Sequence, residues 1–318
     1  MMPGGACDVL ELHRPMTAQG TPAPAHLPVM VDEVLELLRP RPGAVVVDGT
    51  VGAGGHSAVI APRLLPDGRL IALDRDPEAL ALAQHRLVEF ESSVTFLHAN
   101  YRTLPELLAQ TGAPRVDGVL LDLGVSSMHL DQAARGFSFL HEVPLDMRMD
   151  PTQRLTAEEL VNTLPADALA ALLATLGEER FARRIAHRLI EARRATPIRT
   201  TSQLARLVVQ AYPSGARHGR IHVATRTFQA LRMAVNDELG ALEALLKRLP
   251  DCLRPGGRAV IISFHSGEDR LVKRAFLELV RAGSWTVLTK KPQIASDEET
   301  ARNPRARSAK LRAVERRP

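Results

Sequence analysis

Residues 45–56 read Val-Val-Val-Asp-Gly-Thr-Val-Gly-Ala-Gly-Gly-His: three valines run into Asp48, and a glycine-rich turn through Gly52, Gly54 and Gly55 leads to His56. A second apolar run, residues 70–73, ends in Asp74. An apolar strand, a glycine turn, a helix and a second strand tipped by a carboxylate form the nucleotide-cradling half of an open α/β sheet. Glycines let the backbone approach a ligand closely. The second carboxylate can accept both hydroxyls of a ribose.

The alternation continues on both sides of this unit. Strands are expected at 94–98 and 116–123, the latter nearly all apolar, as a strand buried on both faces should be. Helices are expected at 31–38, 57–65, 104–110 and 77–90, the last with Pro77 in its first turn. From about 127 to 214 the periodicity is helical only, with helices at 157–162, 167–176, 178–194 and 202–210. One long helix over 225–249 then carries Phe228, Leu231, Val235, Leu239, Leu242 and Leu246 as a single apolar stripe. A strand at 258–264, a helix at 267–281 and an antiparallel strand pair at 285–289 and 309–315 complete the sheet, while 295–307 reads as a polar loop. The expected division is a disordered tail over 1–25, the first part of the α/β domain over 26–127, an all-helical insertion over 128–220 and the second part of the α/β domain over 221–318.

Composition bounds the function. The chain has 318 residues, 45% of them hydrophobic and only 3% aromatic, so its cores must be aliphatic. No apolar run approaches the ~18 residues of a membrane span. The start lacks the basic and uninterrupted apolar segments of a signal peptide. Cys7 and Cys252 offer neither metal-ligand spacing nor a disulfide framework. These features describe a cytoplasmic protein with no metal and no membrane partner. A formal charge of +5 is compatible with a polyanion partner.

The glycine loop narrows the ligand. A dinucleotide fingerprint needs a third glycine, and Ser57 stands in its place. Asp48 directly before the loop would repel a pyrophosphate but suits an ammonium group, which disfavours a nicotinamide-dependent oxidoreductase. S-adenosylmethionine has an ammonium, a sulfonium, a ribose and no phosphate. Gly52, Gly54, Gly55 and His56 would line its methionine part, Asp74 would take the ribose, Tyr101 would stack on the adenine, and Asp122 would sit beside the reacting methyl. Helix capping or plain packing stays open for Asp48, Asp122, His56 and Tyr101.

A basic face points to nucleic acid. Arg183, Arg184, Arg188 and Arg194 lie on one expected helix, and Arg217 and Arg220 in the loop where the insertion returns to the sheet. Arginine suits phosphates and stacked bases. A solvated helix face is the alternative.

Several blocks together resemble one family: Asp48-Gly-Thr-Val-Gly-Ala-Gly-Gly-His56, Leu73-Asp-Arg-Asp-Pro77, Leu121-Asp-Leu-Gly-Val-Ser-Ser127, Arg135-Gly-Phe-Ser-Phe139, Thr225-Arg-Thr-Phe-Gln-Ala-Leu-Arg232, Ile262-Ser-Phe-His-Ser266 and Asn303-Pro-Arg-Ala-Arg-Ser308. The chain resembles the bacterial small-subunit ribosomal RNA methyltransferase H family, also called MraW, from about residue 26 onward. The resemblance implies a Rossmann-like class I methyltransferase fold and transfer of a methyl group from S-adenosylmethionine to N4 of a cytidine in the decoding region of 16S rRNA. The small ribosomal subunit, or a late assembly form of it, would be the substrate, and the protein a monomer or homodimer. The resemblance implies cofactor contacts at Gly54, Gly55, His56, Asp74, Tyr101, Asp122 and His129; Tyr101 stands where Phe is common and His129 where Gln is common. Asp122 and Ser126 would orient the amine, and Phe264 or His265 would hold the base. A non-catalytic RNA-binding or assembly factor that keeps a cofactor pocket is the remaining alternative.

Overall fold

The computed structural model describes residues 27–126, 128, 132–217 and 222–318. The tail over 1–25 lies outside the described residues. Seven strands form one sheet in the order β3-β2-β1-β4-β5-β7-β6. They are β1 (Val45–Asp48), β2 (Arg69–Asp74), β3 (Val94–His98), β4 (Val116–Asp122), β5 (Leu253–Ser263), β6 (Trp285–Val287) and β7 (Lys310–Arg316). The first five are parallel, and β7 lies antiparallel between β5 and β6. Strand order reverses between β1 and β4, so a crevice opens at their C-terminal ends, where Asp48 and Asp122 lie, with Asp74 at the end of neighbouring β2.

Alternate side chains of the strands feed different cores. Leu120 and Ile262 pack on one face with α1 (Val31–Leu38), α2 (Gly55–Leu64) and α3 (Pro77–Arg86). Leu121 and Ile261 pack on the other with α4 (Leu104–Gln110). Fully parallel strands need such cover on both faces, which explains their near-continuous apolar runs.

The chain leaves the sheet after β4 and forms α5 (Ala157–Thr163), α6 (Ala166–Gly177), α7 (Ala182–Ala195) and α8 (Thr201–Ala211). Leu169, Leu173, Ile185, Leu189, Leu204 and Val208 build a third core. Phe228, Leu231 and Val235 join that core, whereas Leu242 and Leu246 join the sheet. The single helix expected over 225–249 is therefore two, α9 (Thr225–Asn236) and α10 (Glu238–Cys252), broken at left-handed Asp237, φ 46°. One straight helix presents one stripe to one body; the break lets the two halves serve different cores. Buried Asn236 secures the junction: its Nδ2 donates to the Met147 carbonyl at 2.8 Å and its Oδ1 accepts from Met149 N–H at 2.8 Å.

Two other expectations shift. After β5 comes α11 (Ser266–Arg281), and 295–307 is no plain loop but holds α12 (Asp297–Arg302). Ser296 caps α12 by accepting from Glu299 N–H at 3.0 Å, and acidic residues fill its first turn. The arginine helix begins at Ala182, not at 178, because Glu178 closes α6 in the left-handed conformation. Among the described residues no helix is long and apolar enough to cross a membrane.

Candidate active site

A cavity of about 520 Å³ opens at the C-terminal ends of β1, β2 and β4, with α9 on another side. That volume lies in the range of small-molecule sites. Gly52, in positive φ at 52°, turns the loop so that its N–H donates to Asp74 Oδ2 at 2.8 Å. Gly52, Gly55 and His56 line the cavity.

Two of the expected loop residues do not line it. Gly54 caps α2 in left-handed geometry, and a Cβ there would stand 3.3 Å from Ala83 Cα, so packing of α2 on α3 demands this glycine. Asp48 is 1% exposed, behind the wall. Its carboxylate accepts from Ser57 Oγ at 2.7 Å and Thr50 N–H at 3.3 Å, bracing the loop rather than presenting itself to an ammonium group. Burial raises its pKa, against the pull of His56 and these donors.

Asp74 accepts from Asp76 N–H at 2.9 Å as well as from Gly52. Tyr101 lines the same space, and burial together with the charges of Glu238 and Glu268 holds its phenol protonated well above the usual range.

Asp122 is held in an unfavourable electrostatic setting. Its side chain is 25% exposed, and Oδ2 stands 3.7 Å from His56 Nδ1. His56 Nε2 lies 2.8 Å from the Val29 carbonyl, an acceptor only, so this nitrogen bears the ring proton. Oδ1 of Asp122 is buried with no hydrogen-bond partner among the described residues. Burial, then the charges of Asp48 and Glu268, push its pKa up to about 6, with His56 opposing.

Ser126, Phe264 and His265 also line the cavity. His265 is not placed as a free base. It caps α11, its Nδ1 accepting from Glu268 N–H at 3.4 Å, and its Nε2 stands 3.2 Å from Glu268 Oε1. Glu268, 2% exposed, accepts from Phe264 N–H at 2.9 Å through its other oxygen. The pair therefore fixes the Phe264 main chain.

The sequence reading missed much of the far wall. Thr225, Gln229 and Arg232 of α9 face the cavity, and Arg232 forks onto Glu238 with both bonds at 2.8 Å. Their 3.6-residue spacing was visible but had been absorbed into an apolar stripe. The chain holds one Trp, two Tyr and eight Phe. Of these, Tyr101, Phe137, Phe139, Phe228 and Phe264 all line this one cavity. Leu27, Pro28 and Val29 form part of the rim, held by Asn303 Nδ2 on the Leu27 carbonyl at 3.1 Å and by Glu299 on Met30 N–H at 2.7 Å.

The basic residues stand apart. Arg183, Arg184 and Arg194 are exposed on α7. Arg188 donates to Gln210 Oε1 at 2.7 Å and Arg217 to the Tyr212 carbonyl at 3.1 Å. None of these five lines the cavity, and α6 packs against both α7 and α9. His129 and Arg220 lie outside the described residues.

A Rossmann-like sheet with a glycine turn and carboxylates at the ends of β2 and β4 is the frame of an S-adenosylmethionine-dependent methyltransferase. The chain belongs to the MraW methylase family, whose pattern matches residues 23–317. It is 47% identical over 307 residues to a ribosomal RNA small subunit methyltransferase H of Heliobacterium modesticaldum, covering 92% of this chain and 98% of the relative. A protein of the same description from Geobacter sulfurreducens is 50% identical over 307 residues, covering 92% and 99%. Another, from Nitratidesulfovibrio vulgaris, is 50% identical over 311 residues, covering 92% and 86%.

Proposed function

We propose that this methyltransferase acts on the exocyclic N4 of a cytidine in the decoding region of 16S rRNA, presented by the small ribosomal subunit or a late assembly form. The relatives' shared description supports an rRNA substrate. The observation that carries the amine is Asp122 Oδ1, a buried acceptor without a partner in a cavity walled by aromatic rings.

S-adenosylmethionine supplies an electrophilic methyl group. Gly52, Gly55 and His56 would flank its amino-acid part, Asp74 would accept the ribose hydroxyls and Tyr101 would cover the adenine. The cytosine amine is a poor nucleophile because its lone pair conjugates with the ring. Asp122 Oδ1 accepts one N4–H and Ser126 helps orient the group, which turns the nitrogen lone pair toward the methyl. Fixing that geometry supplies several kcal/mol of the barrier. Asp122 then takes the proton that the methylated nitrogen sheds, a task its raised pKa favours. Phe264, its main chain held by Glu268, supports the base.

The helical insertion serves as the RNA-facing body. Arg183, Arg184, Arg188, Arg194 and Arg217 contact phosphates away from the reacting base, and Arg220 is a further candidate for a phosphate contact. Incubating the pure protein with small subunits from cells lacking it, then mapping 16S rRNA by mass, tests the reading. One added methyl on cytidine N4 is expected; a methyl on a ring carbon or a ribose oxygen would overturn it.

A further inference from the structure

The N4-cytidine reading leaves a question that this inference rests on and deepens: what distinguishes cytosine from uracil inside the cavity. The two bases differ at their pairing edge. Cytosine offers N4–H as a donor and N3 and O2 as acceptors. Uracil offers O4 and O2 as acceptors and N3–H as a donor. A cytosine site therefore needs an acceptor for N4–H and a donor for the adjoining N3 and O2.

The acceptor is Asp122 Oδ1. Several side-chain donors stand on the remaining wall. Arg232 is committed to Glu238 through both its Nε and an Nη. Arg75 is tied by Nη1 to the Asn236 carbonyl at 2.7 Å, and its buried Nε has no hydrogen-bond partner among the described residues. His56 Nε2 is taken by the Val29 carbonyl. His265 Nδ1 accepts from Glu268 N–H, and its buried Nε2, 3.2 Å from Glu268 Oε1, likewise has no hydrogen-bond partner among the described residues. Gln229 is set apart from these cations and imidazoles as a neutral amide on α9. It lines the cavity, half-buried, between buried Phe228 and Ala230, and among the described residues its Nε2 reaches only the Met233 thioether at 3.9 Å. A thioether is a weak acceptor, so the amide has good donors to spend in a partly desolvated place. Aromatic surface borders it: Phe139 stacks edge-on to Phe228 with centroids 5.0 Å apart, and both line the cavity.

We propose that Gln229 is the specificity-determining residue for the target base. Its Nε2–H donates to the N3/O2 edge of cytosine while Asp122 accepts from N4–H. Uracil would set its N3–H against the amide N–H and its O4 against the Asp122 carboxylate, and both contacts would be repulsive. A built hydrogen-bonding site rejects a mismatched partner far more strongly than an apolar slot does, because its own polar groups stay unpaired.

Gln229→Leu removes the donor at similar size, and Gln229→Glu replaces it with an acceptor of the same shape. Both variants and the wild type are assayed on small subunits for kcat/KM, for S-adenosylmethionine Kd by calorimetry, and for the methylated nucleoside by mass. Gln229→Leu should lose about tenfold in kcat/KM, the value of one hydrogen bond to a buried partner. Gln229→Glu should lose more, and both should bind S-adenosylmethionine within twofold of wild type. Wild-type turnover by Gln229→Glu would overturn the assignment while leaving N4-cytidine transfer intact. An equal loss in cofactor affinity would overturn it too, by revealing a packing role. If instead the wild type marks a nucleoside other than cytidine, the parent reading fails, and the mass data alone report it.

Discussion

At the scale of single residues the decisive group is Asp122. It must be ionised to take the proton that the methylated amine sheds, so kcat/KM should fall on the acid side with an apparent pKa near the value of about 6 set by its burial. A pH–rate profile reads this directly, and Asp122→Asn should lose both most of the activity and the acid limb. The same burial penalises the fold. Its ordinary carboxyl pKa is 3.8, so between that and about 6 the folded state keeps a proton that the unfolded chain has lost. Stability therefore falls as pH rises through that window and stays lowered above it. Asp122→Asn should raise neutral-pH stability by up to about 3 kcal/mol, the gain fading below about pH 4, as urea titrations at several pH values will show. Much of this site was legible beforehand, because carboxylates at strand ends need only sequence order to be placed. Asp48 and Gly54 were misread for a reason local to them. Type and position along the chain do not reveal whether a side chain points through the wall or behind it, and only the neighbours Ser57 and Ala83 decide that.

At the scale of elements, the break at Asp237 matters most. Periodicity alone favoured a continuous helix, since the stripe runs unbroken through 236–238 and only contact with two separate cores splits it. The residue holds φ 46° and ψ 46°, which L-residues other than Gly, Asn and Asp adopt at a penalty. Its contact with Arg102 at 2.7 Å joins side chains 40% and 59% exposed, so that ion pair contributes little. Asp237→Gly should be tolerated within about 0.5 kcal/mol, whereas Asp237→Val should lose about 2 kcal/mol in urea unfolding. The α12 helix was not legible from periodicity because its residues are almost all polar, and only the Ser296 cap and the acidic first turn mark it.

At the scale of the whole molecule, a basic face stands apart from the cavity. The cavity wall mixes Asp74, Asp122, Glu238 and Glu268 with Arg75, Arg86, Arg232 and Arg305, whereas Arg183, Arg184 and Arg194 stand exposed on α7, beyond α6. Replacing Arg183, Arg184 and Arg194 by Gln should leave S-adenosylmethionine Kd unchanged. The slope of log RNA affinity against log salt should shrink by about 2, at roughly 0.7 per lost phosphate contact on single strands. An unchanged slope would place the RNA on another surface. The overall architecture could be read from alternation alone, but the joining of α9 to the insertion could not, because helical periodicity shows which face is apolar and not which body covers it.

The strand order has a bearing on biogenesis. Because β7 separates β5 from β6, the earlier-made β6 has no neighbour to hydrogen-bond until the later segment threads between them. Vectorial synthesis can thus assemble the five parallel strands progressively while one flank waits, exposed. Ser308 and Arg305, which border the ligand space, arrive on that same late segment. Nascent chains stalled before it would carry an unfinished edge and an incomplete pocket, so binding competence is gained only at the last stage of assembly.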